Sequence, residues 1–153
     1  MLSGVLVAGT LLGIVSCHTS RQATEQKQGV TESVAYTVAD HYFVRNDVKS
    51  YKNQVITSQQ GFDALFGAAA VMGEGGLPTS IDFSRQAVVA LMHAPVKSDL
   101  ELKVSKLDMV NGKLCVHYAE VVNNASLSYS QTPLTMLVVD KSLVADGVEF
   151  KKN

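Results

Sequence analysis

Apolar residues follow three different patterns along this chain. Residues 2 to 15, LSGVLVAGTLLGIV, form an almost unbroken apolar run. Residues 18 to 33, HTSRQATEQKQGVTES, contain no large apolar residue except Val30. From Val34 onward the spacing becomes strand-like. Tyr36 and Val38 alternate with Ala35 and Thr37, and Tyr42-Phe43-Val44 follows, which is β-type composition. Asn46-Asp47 predicts a turn and Gln54-Val55-Ile56 a short strand. Ser58 reads as a helix N-cap, with Phe62, Leu65, Phe66 and Ala69 at i, i+3, i+4 and i+7 along one helical face. Such a stripe packs on a sheet far more often than it forms a ligand groove. Gly67 weakens this helix, and Gly73-Glu74-Gly75-Gly76 ends it.

The second half is a succession of strands. Ala87 to Met92, AVVALM, is a continuous apolar run that suits a central strand buried on both faces. Leu100, Leu102 and Val104 alternate with Glu101, Lys103 and Ser105. Asn111-Gly112 predicts a type I′ hairpin turn, which requires positive φ at both central residues. The returning strand is Lys113 to Val122. A two-residue loop sets Lys103 opposite Glu120, a favourable cross-strand pair, whereas a three-residue loop shifts that register. Thr135 to Asp140 and Val148 to Phe150 are the last strands. This order predicts an α+β, mainly β domain. Its antiparallel strands form a curled sheet or a sandwich-like barrel with one short helix.

Composition narrows the classes of function. The chain has 153 residues, 46% hydrophobic and 18% charged, enough for one domain with a real core. Lys+Arg is 13 and Asp+Glu is 14, so no basic stripe suggests nucleic-acid binding. There is no Trp, and 7% aromatic residues provide little for a stacking platform.

The N-terminus carries the most specific signal. The run from Leu2 to Val15 is short for a membrane-spanning helix, which needs about 20 residues, and matches the h-region of a signal peptide. Ile14-Val15-Ser16-Cys17 resembles the lipobox of bacterial lipoproteins. That resemblance implies a signal peptide over residues 1–16, cleavage before Cys17 and diacylglycerol on the Cys17 thiol. Residues 17–33 are then the lipidated cysteine and a flexible tether, and 34–153 a single folded domain. As a coil, the tether reaches roughly 20–25 Å, about 5–6 Å times the root of its length. Met1-Leu2-Ser3 departs from the basic start of such signals, which suggests a start upstream. If Cys17 is lipidated, Cys115 has no disulfide partner and reads as a buried free thiol.

Catalytic and metal motifs are missing. His18, His41, His93 and His117 are not spaced as a metal pair, no acidic run matches a calcium loop, and no G-x-S-x-G elbow occurs. Gly73-Glu74-Gly75-Gly76 lacks the end of a phosphate loop. The expectation is therefore no enzyme, no cofactor and no metal. A site built from His93, His117 and Cys115 or Asp108 is conceivable, because residues 115 and 117 share a strand face. It would make the chain a small hydrolase using Cys115 or a serine near His117.

Two resemblances emerge from longer blocks. HYFVRND (41–47), AAVMGEGGLPTSIDFSRQAVVAL (69–91) and TPLTMLVVDK (132–141) resemble small uncharacterised Bacteroidetes lipoproteins. Residues 55 to 150 are similar in plan to the C-terminal domain of PrcB-type protease-complex subunits. The shared plan is a short helix, a D-F-S turn into V-V-A-L, a long hairpin and a T-P-x strand. Ser98-Asp99-Leu100 replaces that family's Gly-Tyr at the opening of the hairpin, so no functional residue is carried over. In some Bacteroidetes lipoproteins, acids just after the cysteine accompany surface display, and residues 18 to 22 have none. The resemblances imply a lipid-anchored outer-membrane protein facing the periplasm. It would be a non-catalytic binding or protease-accessory module with a protease or envelope protein as partner; the rival is a structural envelope lipoprotein. The candidate binding loops are Gly73, Glu74, Gly75 and Gly76, and Asn123, Asn124, Ser128 and Tyr129.

Overall fold

A computed structural model describes residues 32–153. The expected signal peptide, Cys17 and most of the expected tether lie outside the described residues. Glu32 and Ser33, the last residues of that tether, are paired as the first strand.

Two four-stranded sheets pack face to face. The first contains, in spatial order, β1 (Glu32–Ser33), β7 (Asp99–Val110), β8 (Lys113–Asn124) and β10 (Val148–Lys152). The second contains β2 (Thr37–Val38), β9 (Leu134–Asp140), β6 (Gln86–Met92) and β4 (Gln54–Ile56). Two further short strands, β3 (Tyr42–Val44) and β5 (Phe66–Ala68), form a separate ribbon beside the helix α1 (Gln59–Asp63). No ladder joins the two sheets among the described residues, so they form a sandwich and not a closed barrel.

The β6 run explains the layering. Ala87, Val89 and Leu91 face the first sheet, where they meet Leu102, Leu107, Leu114 and Val116. Val88, Ala90 and Met92 face the other way, onto Phe62, Phe66 and Val44. Both faces of the second sheet are therefore covered, as the continuous apolar run predicts. Burying each large aliphatic side chain here contributes about 1.5–3 kcal/mol.

The helix is shorter than expected. Ser58 does cap it, its hydroxyl accepting from the Gly61 N–H at 3.2 Å. It ends at Asp63, however, and Phe66 opens β5, pairing with Val44. Pairing with β3 outweighs a weak helical preference at Phe66-Gly67. Phe62 is buried as a core residue, its ring centroid 5.0 Å from those of Tyr42 and Phe66.

The hairpin turn is as expected, but its register is not. Asn111 and Gly112 have φ of 52° and 82°, as a type I′ turn requires, and Val110 faces Lys113. The ladder shifts between Val104 and Lys106, leaving Ser105 as the extra residue of a bulge. Lys103 therefore faces Ala119, not Glu120. Lys103 lies 3.8 Å from Glu101 instead, and Glu120 pairs with Lys152 at 2.6 Å. The bulge has a packing reason. Side-chain direction alternates along a strand, yet Leu102 and Leu107 both enter the same core. One extra residue between them changes the parity and lets both point inward.

β10 runs parallel to β8, with Val148 beside Leu114. After β9 the chain makes a 3₁₀ turn over Lys141–Val144 and returns on the first sheet. At the opposite side, the segment carrying β1 and β2 passes from the edge of β7 to the edge of β9 and so straps the two sheets together.

Candidate functional site

The outer face of the first sheet carries a cluster of titratable groups. Lys106, Asp108, Cys115, His117, Glu149 and Lys151 occupy neighbouring cross-strand positions there. Asp108 is only 3% exposed. Its carboxylate accepts from Lys106 Nζ at 2.6 Å and lies 3.2 Å from His117 Nε2. The Lys106 hydrogen bond, aided by the charges of Lys106 and His117, holds its pKa below the usual carboxylate value; loss of water around it opposes the shift but does not reverse it.

Cys115 is adjacent to this network but not wired into it. It is 1% exposed, and its thiol donates to a Glu149 carboxylate oxygen at 3.9 Å. No imidazole hydrogen-bonds to the thiol among the described residues, and reactive cysteines need an accessible, electropositive setting. His93 does not join the expected cluster. It follows β6 in the other sheet, with its ring Nδ1 2.7 Å from the Ala94 carbonyl oxygen. Among the described residues, no group of three His, Cys, Asp or Glu is arranged to hold a metal. No described helix is long and apolar enough to cross a membrane.

The two candidate loops differ in character. The glycine-rich loop is closed on itself and rooted on the start of β3. Val71 N–H donates to the Gly76 carbonyl at 2.9 Å, and Thr79 N–H to that of Asp40 at 3.2 Å. A Cβ at Gly76 would lie 2.1 Å from the Val71 carbonyl oxygen, so no other residue fits there. Gly73, Glu74 and Gly75 are exposed, as are Val71, Met72 and Leu77. Asn123 and Asn124 fall not in the second loop but at the end of β8, where Asn124 faces Asp99 and Asn123 borders a cleft, while Ser128 and Tyr129 are exposed in the loop itself.

That cleft is where polar groups converge around an aromatic ring. It measures about 430 Å³ and opens between the starts of β7 and β9, with Phe43 of β3 at its border. Phe43 is 46% exposed, between inward-facing Tyr42 and buried Val44. Its ring lies across Gly67, where a Cβ would come within 2.5 Å of the ring. One face of the ring thus rests on glycine backbone. Gln131 and Thr135 tie the two sheets together along the cleft. Gln131 Nε2 donates to the Ser98 carbonyl at 2.7 Å, and Thr135 Oγ1 to the Leu102 carbonyl at 2.8 Å. Asp99 and Glu101 also line it, and among the described residues no Lys, Arg or His does.

Of these residues sequence reasoning picked out Asn123 alone. Phe43 carried a signal, since one exposed aromatic between two inward-facing residues is what strand alternation predicts for Tyr42-Phe43-Val44. The approach of Asp99 to Gln131 carried none, because it depends on how the two sheets stack.

Compared with known families, curated proteins and solved structures, the chain matches none.

Proposed function

We propose that this protein is a membrane-tethered, periplasm-facing binding or protease-accessory module without catalytic activity of its own, anchored through lipid on Cys17. The observation that carries the binding role is the cleft bordered by Phe43 and Asn123. A large half-exposed aromatic face beside polar side chains, mounted on a sheet scaffold, is the usual make-up of a recognition site. The lipobox-like Ile14-Val15-Ser16-Cys17 supports the anchor. The resemblance to PrcB-type subunits supports a protease or another envelope protein as the partner.

A photo-crosslinking amino acid at Asn123, introduced in living cells, tests the binding role. A discrete adduct with another protein is expected there and none from the same probe at Lys151, on the outer face of the first sheet. A smear or no product at Asn123 would remove the basis for the proposal. Labelled palmitate should enter the wild-type chain and not Cys17→Ala.

A further inference from the structure

We propose that two copies of this chain associate through the free edges of β10, joining their first sheets into one continuous antiparallel sheet about a twofold axis at Phe150. The cleft and its ligand play no part in this contact.

The backbone provides the first argument. β10 ends the first sheet and pairs only with β8 among the described strands. The Gly147 carbonyl accepts from the Leu114 N–H at 3.2 Å, and the Asn153 N–H donates to the Tyr118 carbonyl at 2.8 Å. Both bonds toward β8 thus come from odd-numbered residues. Backbone groups alternate in direction along a strand, so Val148, Phe150 and Lys152 turn their N–H and C=O groups to the free edge. Among the described residues none hydrogen-bonds to those groups. The other edge strands of the two sheets, β1, β2 and β4, have two or three residues. β10 has five, which at about 3.3 Å each make an edge of roughly 17 Å.

Charge selects the register. Charged side chains commonly guard an exposed edge by repelling an incoming strand. On β10 the guards carry opposite signs, with Glu149 and Lys151 both exposed and 3.9 Å apart. In an antiparallel pair centred on Phe150, that residue faces its own counterpart and Val148 faces Lys152 of the second copy. Glu149 of each copy then faces Lys151 of the other. The outward-turned groups of residues 148, 150 and 152 meet one another and exchange hydrogen bonds. Glu149 and Lys151 fall at the non-hydrogen-bonded positions, where opposed side chains come closest. Sliding one copy by two residues sets Glu149 against Glu149 or Lys151 against Lys151, which repel. Sliding it by one sets outward-turned groups opposite inward-turned ones. Only the register centred on Phe150 satisfies both conditions along the whole edge.

Phe150 adds apolar contact. It is half-buried against the core between the sheets. Its counterpart would lie beside it on the same face, as an aromatic cross-strand pair.

The test uses the full chain in detergent micelles, with self-association measured by sedimentation equilibrium in density-matched buffer. The unaltered protein should dimerise. Glu149→Lys and Lys151→Glu each set like charges opposite in both cross-strand pairs, and each should weaken the dimer about tenfold or more. The double exchange, Glu149→Lys with Lys151→Glu, matches the charges again and should recover the original association. Thermal melts of all these proteins should agree, because the pairs these residues make within the chain are exposed. A second measurement needs no variant. Carbodiimide treatment of mixed light and heavy isotope-labelled chains should join Glu149 of one chain to Lys151 of another, giving peptides of mixed label. A monomer at every concentration, association indifferent to the single exchanges, a double exchange no better than the singles, or no mixed-label product at these residues would each overturn the proposal.

Discussion

Asp108 shows how a surface sheet can bury a charge. The residue is almost wholly buried, and Lys106 and His117 provide the hydrogen bonds that water would otherwise give. Because its pKa is depressed in the fold, it binds a proton less readily folded than unfolded. It therefore stabilises the protein at neutral pH, and that contribution is lost as pH falls below about 4, the unfolded Asp value, through the depressed folded value. Asp108→Asn should lower stability at pH 7 and flatten its fall between neutral pH and pH 3, read from urea midpoints. Lys106→Ala should shift the same acid limb in the same direction. Cys115 makes a second prediction at this scale. Its near-complete burial means that iodoacetamide labelling of this thiol should be slow in the native protein and fast in urea. Rapid native labelling would revive the nucleophile that the thiol's surroundings argue against.

At the scale of elements, the long hairpin is the instructive case. Its turn was legible, since Asn-Gly demands the φ values that are found. Its register was legible in principle, although a regular two-residue hairpin is the simpler reading. Leu100, Leu102 and Val104 fall on even numbers, while Leu107 and Met109 fall on odd ones. A strand with a single core face cannot hold both sets unless a residue is inserted between them. Deleting Ser105 should therefore cost more than an ordinary surface change, because it turns either Leu102 or Leu107 outward. The measurement is the thermal midpoint, which should fall well below that of Ser105→Ala. Ser58 works at the same scale: its hydroxyl satisfies one N–H of a helix little longer than one turn. Ser58→Ala should cost about 1 kcal/mol in urea unfolding. The helical stripe in the sequence runs past the helix, which ends at Asp63. Phe66 fits a helical face and a strand equally well, and β3 supplied the strand partner that periodicity could not reveal.

Across the whole molecule, stability rests on two apolar layers that share the second sheet. Leu114 is fully buried between the sheets, opposite the β6 residues. Leu114→Ala should cost about 2–5 kcal/mol, the range for a core leucine whose site cannot collapse, measured by denaturant unfolding. The cleft also belongs to this scale. It exists because the strap of β1 and β2 covers only part of one side of the sandwich, leaving the starts of β7 and β9 open beside Phe43.

Local pattern along the chain was enough to specify the mainly β class, the doubly buried β6, the type I′ turn and the Ser58 cap. Each of these depends on residues close together along the chain, through alternation, φ preference or a side chain reaching three residues onward. Long-range packing set the direction of β10, the placing of His93 beside the second sheet, the pairing of Glu120 with Lys152 and the residues that share the cleft with Asn123. Each of those depends on which strands lie side by side and how two sheets stack. A strand such as Val148-Glu149-Phe150 presents the same alternating faces whether it runs parallel or antiparallel to its neighbour, so pattern alone cannot choose between them.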